Sequence, residues 1–148
     1  MRKILIQQTP FDPWSLLADY EQQAMKGKSN YGATATFIGT MRDFNEGDDV
    51  ASMFLEHYPI MTEKELHRLA DKADKTWALL NTLLIHRVGL IYPTDPIVLV
   101  AVWSAHRKDA FEASRFLMEE LKSNVPFWKK EMLVNGSERW VKENKKGY

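Results

Sequence analysis

The sequence predicts an α+β fold, with a mixed and mainly antiparallel sheet, flanking helices and a C-terminal β-hairpin in a hammerhead-like α/β arrangement. Helical segments with apolar stripes are separated by pairs of apolar, β-branched segments, which is typical of α+β domains. The 148 residues contain no repeat, linker or low-complexity segment. They therefore predict one domain over residues 1–148, with the polar residues 142–148 as a flexible tail.

The first elements alternate between strand and helix. Residues 3–7 are apolar enough for a short strand. Asp12 and Pro13 then predict a helix start, because an aspartate side chain caps free N–H groups and proline fits the first helical turn. This helix is expected to end near Gly27. Small, β-branched and aromatic residues over 31–41 predict the next strand.

The middle of the chain holds a loop, a strand and a long helix. Polar residues 42–49 predict a loop, and the apolar segment 50–58 predicts a strand antiparallel to the preceding one. Residues 60–77 predict a helix, because apolar side chains recur at helical spacing. The apolar stripe consists of Leu66, Leu69, Ala73 and Trp77.

The remaining segments predict the centre of the sheet, a last helix and a hairpin. Residues 79–88 predict a strand, and 97–103 are so continuously apolar that they predict a central strand buried on both faces. A prolyl turn over 91–96 separates these two strands, and a helix over 109–124 follows them. The hairpin is indicated by Asn135-Gly136-Ser137 between strands over 127–134 and 138–141.

Composition excludes several classes of function. Lys plus Arg and Asp plus Glu are 20 each, so the formal net charge is zero, which argues against nucleic-acid or anionic-membrane partners. Cysteine is absent, which excludes disulfides, thiolate metal sites and a cysteine nucleophile. No apolar run reaches the roughly 20 residues of a membrane helix, and no signal peptide is recognisable. We therefore expect a cytoplasmic protein. His57, His67 and His86 lack the spacing of metal ligands, so we expect no metal, and we expect no cofactor.

Two basic residues follow the predicted central strand. His106 and Arg107 lie between that strand and the next helix, where α/β sheets often bind ligands and where helix N–H groups add positive potential. A guanidinium can hold an anion through two parallel hydrogen bonds. The ordinary alternative is a solvated loop in which Arg107 pairs with Asp109.

Two lysines flank the proline that ends the last helix. Lys122 lies in the final helical turn beside the apolar stripe, and Lys129 follows the proline, where the chain can turn back towards it. Adjacent ammonium groups lower one another's pKa, and a neutral amine can act as a base or nucleophile. Alternatively, Lys122 only complements the helix dipole, and Lys129 only lies on a solvated edge of the hairpin. With Arg42, His106 and Arg107, the lysines indicate a pocket for a phosphorylated or carboxylated small ligand.

Segments of the chain resemble the catalytic (large) subunit family of molybdopterin synthase. They are FIGTMRDFNEGDDV, LEHYPIMTEKEL, IHRVG, VAVWSAHRKDAFEASRFLMEELKSNVPFWKKE and GSERWV. The segments occur in family order between residues 31 and 141, which is nearly the whole chain. The combined pattern from SAHR to WKKE is long and therefore specific.

The resemblance implies a sulfurtransferase of molybdenum cofactor biosynthesis. Such an enzyme converts cyclic pyranopterin monophosphate (precursor Z), a small-molecule pterin phosphate, to molybdopterin. The resemblance also implies a small ubiquitin-like sulfur-carrier subunit, which delivers sulfur as a thiocarboxylate on its C-terminal Gly-Gly tail. It implies further that the large subunit forms a homodimer at the core of a heterotetramer.

The resemblance assigns roles to particular residues. Lys122 and Lys129 match the two catalytic lysines, and Phe37 and Met118 match positions that line the pocket. The implied substrate-binding residues are Thr40, Met41, Arg42, His106, Arg107, Lys130 and Glu131.

One position departs from the family pattern, and two other hypotheses stay open. Trp103 stands where a smaller residue is expected, and it would narrow the pocket if it faced that side of the sheet. The chain could instead be a non-catalytic dimeric scaffold that binds a ubiquitin-like protein or an anionic metabolite. It could also be a nucleic-acid module, because residues 122–148 carry seven basic and three acidic side chains interleaved with aromatic residues. These aromatic residues are Phe127, Trp128 and Trp140.

Overall fold

The computed structural model describes residues 1–141, and the expected flexible tail over 142–148 lies outside the described residues. Helices and strands alternate along this part of the chain. In chain order they are β1 (Arg2–Gln7), α1 (Pro13–Ala24), β2 (Ala33–Thr40), β3 (Phe44–Asn45), β4 (Asp48–His57), α2 (Pro59–Thr76), β5 (Leu79–Arg87), β6 (Gly89–Ile91), β7 (Pro96–Ser104), α3 (Arg107–Asn124), β8 (Phe127–Leu133) and β9 (Glu138–Val141).

The first sheet contains four strands in the order β1-β5-β7-β2. β1 and β5 are parallel, whereas β5 with β7 and β7 with β2 are antiparallel. β7 lies in the interior, and its side chains from Val98 to Ser104 are buried. The prediction of a central strand buried on both faces is therefore confirmed.

The side chains of β7 alternate between two cores. Val98, Val100 and Val102 pack with α2 and α3 on one face of the sheet. The intervening side chains, which include Leu99 and Trp103, pack with α1 on the other face. This division follows from the two-residue period of a strand, and it explains why an almost continuous apolar run is needed here.

A second sheet accompanies the predicted one, with strands in the order β3-β4-β8-β9 and β6 paired to β4. The α+β class is confirmed, but the expected antiparallel pairing of the strand over 50–58 with that over 31–41 is wrong. β4 pairs with β8 and β6 instead. The reason lies in the predicted loop over 42–49, which forms β3 and a tight turn at Glu46 and Gly47, whose φ angles are 51° and 82°. This hairpin starts β4 in the new sheet.

The ends of the elements follow the sequence signals closely. Asp12 caps α1, because its Oδ1 accepts a hydrogen bond from the Trp14 N–H at 3.1 Å. α3 begins at Arg107, slightly before the predicted residue 109, and His106 is its N-cap. The predicted C-terminal hairpin is present as β8 and β9. Within residues 1–141, no helix is long and apolar enough to cross a membrane.

Trp103 faces α1. Its side chain is fully buried, its Nε1–H donates to Glu21 Oε2 at 3.0 Å, and its ring lies 5.6 Å from the Tyr20 ring. α3, which carries Lys122, packs on the opposite face of the sheet. Trp103 is therefore a packing residue of the α1 core and does not narrow a site beside Lys122.

A buried histidine supports the start of β8. His86 on β5 stacks on the Phe127 ring at a centroid distance of 4.0 Å, and its Nδ1–H donates to the Arg87 carbonyl at 2.7 Å. Burial lowers the pKa of His86 to about 4, and the nearby charge of Lys129 also lowers it. The imidazole is therefore neutral at pH 7, where it serves as a flat surface against which Phe127 packs.

We expect Trp103→Phe to lower the free energy of unfolding by about 1–3 kcal/mol, because the ring still packs but the hydrogen bond to Glu21 is lost. Urea unfolding measures this change. Trp14→Phe is a matched control, since Trp14 is 68% exposed on α1, the helix against which Trp103 packs, and we expect a change within about 0.5 kcal/mol. Equal losses in the two variants would contradict the proposed packing of Trp103.

We expect His86→Phe to make the protein less sensitive to acid. In the wild type, the unfolded chain binds a proton at His86 near pH 6.5, whereas the folded chain binds it only near pH 4. Stability is therefore lost as the pH falls through this window, and the phenylalanine variant lacks that loss. Urea unfolding at several pH values between 7 and 4 measures the slope, and identical slopes in both proteins would refute the assignment.

Candidate functional site

Three cationic side chains lie within electrostatic reach of one another at one end of the first sheet. Lys122 is in the last turn of α3, Lys129 is on β8, and Arg42 directly follows β2. Burial lowers the pKa of Lys129, and the positive charges of Lys122 and Arg42 lower it too, while Glu131 acts in the opposite direction. The structure thus brings together the two lysines and the arginine that the sequence singled out.

The turn between α3 and β8 brings the lysines together. Val125 leaves the helix in an extended conformation, and the Phe127 N–H donates to the Val125 carbonyl at 2.9 Å. β8 starts there, and its side chains alternate between the two faces of the second sheet. Phe127 and Lys129 point towards the protein interior, and Lys129 is therefore half-buried beside the end of α3.

Lys130 lies on the opposite face of β8 from Lys129. Its Nζ is 2.7 Å from Glu138 Oε2 and 5.7 Å from the centre of the Trp140 ring. The ammonium group is thus engaged with β9 on the outer face of the sheet. The structure does not bring this predicted substrate-binding residue to Lys122 and Lys129.

Glu131 is a buried carboxylate whose two oxygens both bind protein groups. It is 5% exposed, and its Oε1 accepts from Arg139 Nε–H at 2.9 Å while Oε2 accepts from the Asn45 side-chain amide at 3.0 Å. A buried charge requires such partners, because removal from water is costly. In this structure, Glu131 connects three strands of the second sheet.

The turn after β2 presents Arg42 and buries Met41. Arg42 is exposed, its guanidinium lies 4.8 Å from the centre of the Phe44 ring, and it donates to Asn45 Oδ1 at 3.4 Å. Met41 packs in the core of the second sheet and exchanges backbone hydrogen bonds with residues 94–95. Thr40 is exposed at the end of β2. Arg42 is therefore the residue of this turn that is best placed to bind an anion.

Of the two predicted pocket-lining residues, Met118 lies near Lys122, and Phe37 lies on β2. Met118 is one helical turn before Lys122 and is buried in the core beneath α3. Phe37 is 41% exposed on β2. The backbone beside it is tightly packed, because a Cβ on Gly39 would lie 2.8 Å from Val98 Cγ1 and 3.3 Å from Phe37 Cε1. Glycine at residue 39 therefore lets the Phe37 ring lie along the strand.

His106 and Arg107 lie at the other end of α3. Both side chains are exposed where β7 ends. Lys122 lies fifteen residues further along the helix, and a rise of about 1.5 Å per residue places it roughly 22 Å away. The five basic residues expected to form one pocket therefore form two separate groups within one chain, because the length of α3 holds them apart.

Several residues in and around the site were not singled out by the sequence. Arg139 and Asn45 hold Glu131, Phe44 lies against Arg42, and His86 supports the start of β8. Arg139 and Asn45 both occur within segments that carry the family resemblance, so the signal was present without a role attached. A separate cleft of about 460 Å³ runs along β1, and Lys122 and Lys129 are not among its lining residues.

Comparisons with known proteins match nearly the whole chain. Residues 6–124 match the family described as MoaE protein. A curated relative from Ralstonia nicotianae, named molybdopterin synthase catalytic subunit, is 49% identical over 141 residues, covering 95% of this chain and 77% of that protein.

Solved structures share the fold. The molybdopterin biosynthesis MoaE protein from Burkholderia ambifaria is 45% identical, with a TM-score of 0.78 over 95% of this chain and 89% of that one. A protein–protein complex of subunits 1 and 2 of molybdopterin-converting factor from Helicobacter pylori shares the fold at 23% identity, with a TM-score of 0.77 over 97% of this chain and 92% of that one. On the extent of the family match and the identity of these relatives, the chain belongs to the MoaE protein family.

Proposed function

We propose that this chain is the catalytic subunit of a molybdopterin synthase, which converts cyclic pyranopterin monophosphate to molybdopterin with sulfur from a small partner subunit. The observation that carries the proposal is the half-buried Lys129, whose pKa is lowered by burial and by the charges of Lys122 and Arg42. The relatives are named molybdopterin synthase catalytic subunit, and the lysines and the arginine are groups of the kind that such a sulfur transfer requires.

The two lysines have complementary roles in this proposal. Each sulfur arrives as a thiocarboxylate on the partner's C-terminal tail, and its transfer requires proton movements and stabilisation of an oxyanion on the partner's carbonyl carbon. Lys129 exchanges the protons, because its lowered pKa brings its neutral form closer to working pH. Lys122 lies near Lys129, and its positive charge stabilises the oxyanion.

The partner subunit must bring all of the sulfur. This chain contains no cysteine, so it cannot carry a persulfide or accept sulfur as a covalent thiol intermediate. Two transfers are required for the two dithiolene sulfurs. Because the Lys129 side chain lies on the inner side of β8, the tail of the small ubiquitin-like subunit has to approach it from that side.

The phosphate of the pterin is bound in this proposal by groups from two copies of the chain. Arg42 lies beside the lysines, but His106 and Arg107 lie roughly 22 Å away on the same copy. β2 is an edge strand of the first sheet, and its eight residues include no charge and no proline. Such an edge readily pairs with another strand. Antiparallel pairing of β2 with β2 of a second copy places the second copy's His106 and Arg107 near the first copy's Arg42.

We expect Lys129→Met to abolish molybdopterin formation while raising the free energy of unfolding at pH 7. The buried charge destabilises the folded state below the folded pKa of Lys129, and this penalty vanishes as the pH rises from that value to 10.5, the unfolded pKa. The stability gain of the variant should shrink over the same range. Product is measured with purified precursor and thiocarboxylated partner, and stability by urea unfolding.

Lys64→Met is the control for this variant, because Lys64 is exposed on α2, and we expect it to match the wild type in both measurements at pH 7. Retained product formation in Lys129→Met would contradict the catalytic role. It would favour the hypothesis of a non-catalytic scaffold.

We expect two inactive variants to restore activity when they share one dimer. Arg107→Ala and Lys129→Ala should each be inactive as homodimers. A mixed dimer combines intact Lys129 from one copy with intact Arg107 from the other at one of its two sites, so it should recover about half of the wild-type activity. Differently tagged copies allow the mixed dimer to be purified and assayed. If each site lies within a single copy, the mixed dimer stays inactive.

A further inference from the structure

The guanidinium of Arg139 on β9 is held at every nitrogen. Its Nε–H donates to Glu131 Oε1 at 2.9 Å, one terminal nitrogen donates to the Asn45 carbonyl at 2.8 Å, and the other donates to Asp48 Oδ2 at 2.8 Å. A planar guanidinium bonded in three directions has little freedom to rotate. Arg139 thus ties β9 to β8 and to both strands of the hairpin that follows Arg42.

Glu131 connects the fixed Arg139 side chain to the hairpin and lies close to Lys129 along β8. It lies two residues after Lys129 on the same face of β8, and its second oxygen accepts from the Asn45 amide at 3.0 Å. The carboxylate is 5% exposed and has both oxygens occupied. These contacts assign it to holding its neighbours in place.

The bond from Glu131 determines which way the Asn45 side chain points. The carboxylate can only accept, so the amide nitrogen of Asn45 must face it, and the amide oxygen must face the other way. That oxygen accepts from Arg42 at 3.4 Å, and the Phe44 ring lies 4.8 Å from the guanidinium carbon. The direction of Arg42 is therefore set by a chain of contacts that begins at Arg139.

We propose that Arg139 is a positioning residue, which acts through Glu131 and Asn45 to hold Arg42 where it binds the substrate's phosphate. The proposal rests on the proposed function in one respect, namely that Arg42 binds an anionic group of the substrate. Arg139 itself lies behind the hairpin, and its nitrogens are already occupied by protein acceptors. It therefore affects the substrate only through its neighbours.

The first experiment compares Arg139→Gln and Asn45→Ala with the wild type in the assembled synthase, with thiocarboxylated partner and pterin substrate. We expect the KM for the pterin to rise by about tenfold or more in both variants, because an oriented, charge-assisted contact is weakened. We expect kcat to change by less than about threefold, because the lysines remain in place. An unchanged KM in both variants would overturn the proposal.

A double-mutant cycle tests whether the effect passes through Arg42. Once Arg42 is replaced by alanine, loss of Asn45 should have little further effect, so the KM of Arg42→Ala/Asn45→Ala should match that of Arg42→Ala alone. If the two substitutions multiply their effects on KM, Asn45 acts independently of Arg42, and the proposed route is wrong.

Hydrogen exchange tests whether Arg139 holds the hairpin of β3 and β4, and it needs no measurement of enzyme activity. We expect backbone amides over residues 44–50 to exchange at least about tenfold faster in Arg139→Gln, because the hairpin loses its tie to β8 and β9. Arg68→Gln is the control, since it removes a surface arginine–glutamate ion pair within α2, away from the hairpin, and it should leave this exchange and the KM unchanged. Unchanged exchange in Arg139→Gln would show that Arg139 does not hold the hairpin, and it would overturn the proposal.

The exchange result separates two kinds of failure. A wild-type protein that forms no product would refute the proposed function, whereas the exchange rates would still decide whether Arg139 holds the hairpin. A wild-type protein that forms product, together with an Arg139→Gln variant that is normal in KM and exchange, would refute only the role of Arg139.

Discussion

Two lysine side chains within electrostatic reach of each other, one of them half-buried, are the constraint on which the rest of the site depends. Burial and the charge of Lys122 both lower the pKa of Lys129, so this placement opposes folding. The opposing stability comes from elsewhere, chiefly from β7, which has apolar cores on both of its faces. The two lysines proposed as catalytic and the main source of stability thus lie in different parts of the fold. The short turn between α3 and β8 connects the two elements that carry these lysines.

That turn is supported by aromatic packing against β5 of the first sheet. Phe127 begins β8 and lies on the neutral His86 ring, while apolar residues of the core between the first sheet and helices α2 and α3 hold the end of α3. A side chain that becomes charged at low pH therefore lies under the strand that carries Lys129. The second sheet adds a polar support, in which buried Glu131 joins β8 to β9 and to the hairpin after β2. Apolar and polar contacts together restrict how far Lys129 can move.

Local signals predicted the parts of the structure that depend on neighbours in sequence. The Asp12 cap, the buried run of β7 and the final hairpin depend on residues a few positions apart, and each is present. The partners of β4 were missed, because strand pairing depends on contacts between distant segments. The contact from Asn45 to Glu131 spans 86 positions, which no local pattern reveals.

Site residues were easier to identify by type than to place. The approach of Lys122 to Lys129 was predictable, because a proline forces the chain to turn between them. The separation of Arg107 from Lys122 was also calculable from the length of one helix, but chemical similarity grouped them in a single pocket. The side of the sheet that Trp103 faces required the phase of β7, which is visible only once its packing partners are known.

The two edges of the first sheet differ in a way that bears on how the chain behaves when it is produced in excess. β1 carries Arg2 and Lys3, which discourage strand addition, whereas all eight residues of β2 are uncharged. A lone open edge of this kind can nucleate fibrous aggregates. Pairing of β2 with the same strand of a second copy uses the open edge of both, so growth stops at two chains. Dimerisation would then protect solubility as well as complete the site.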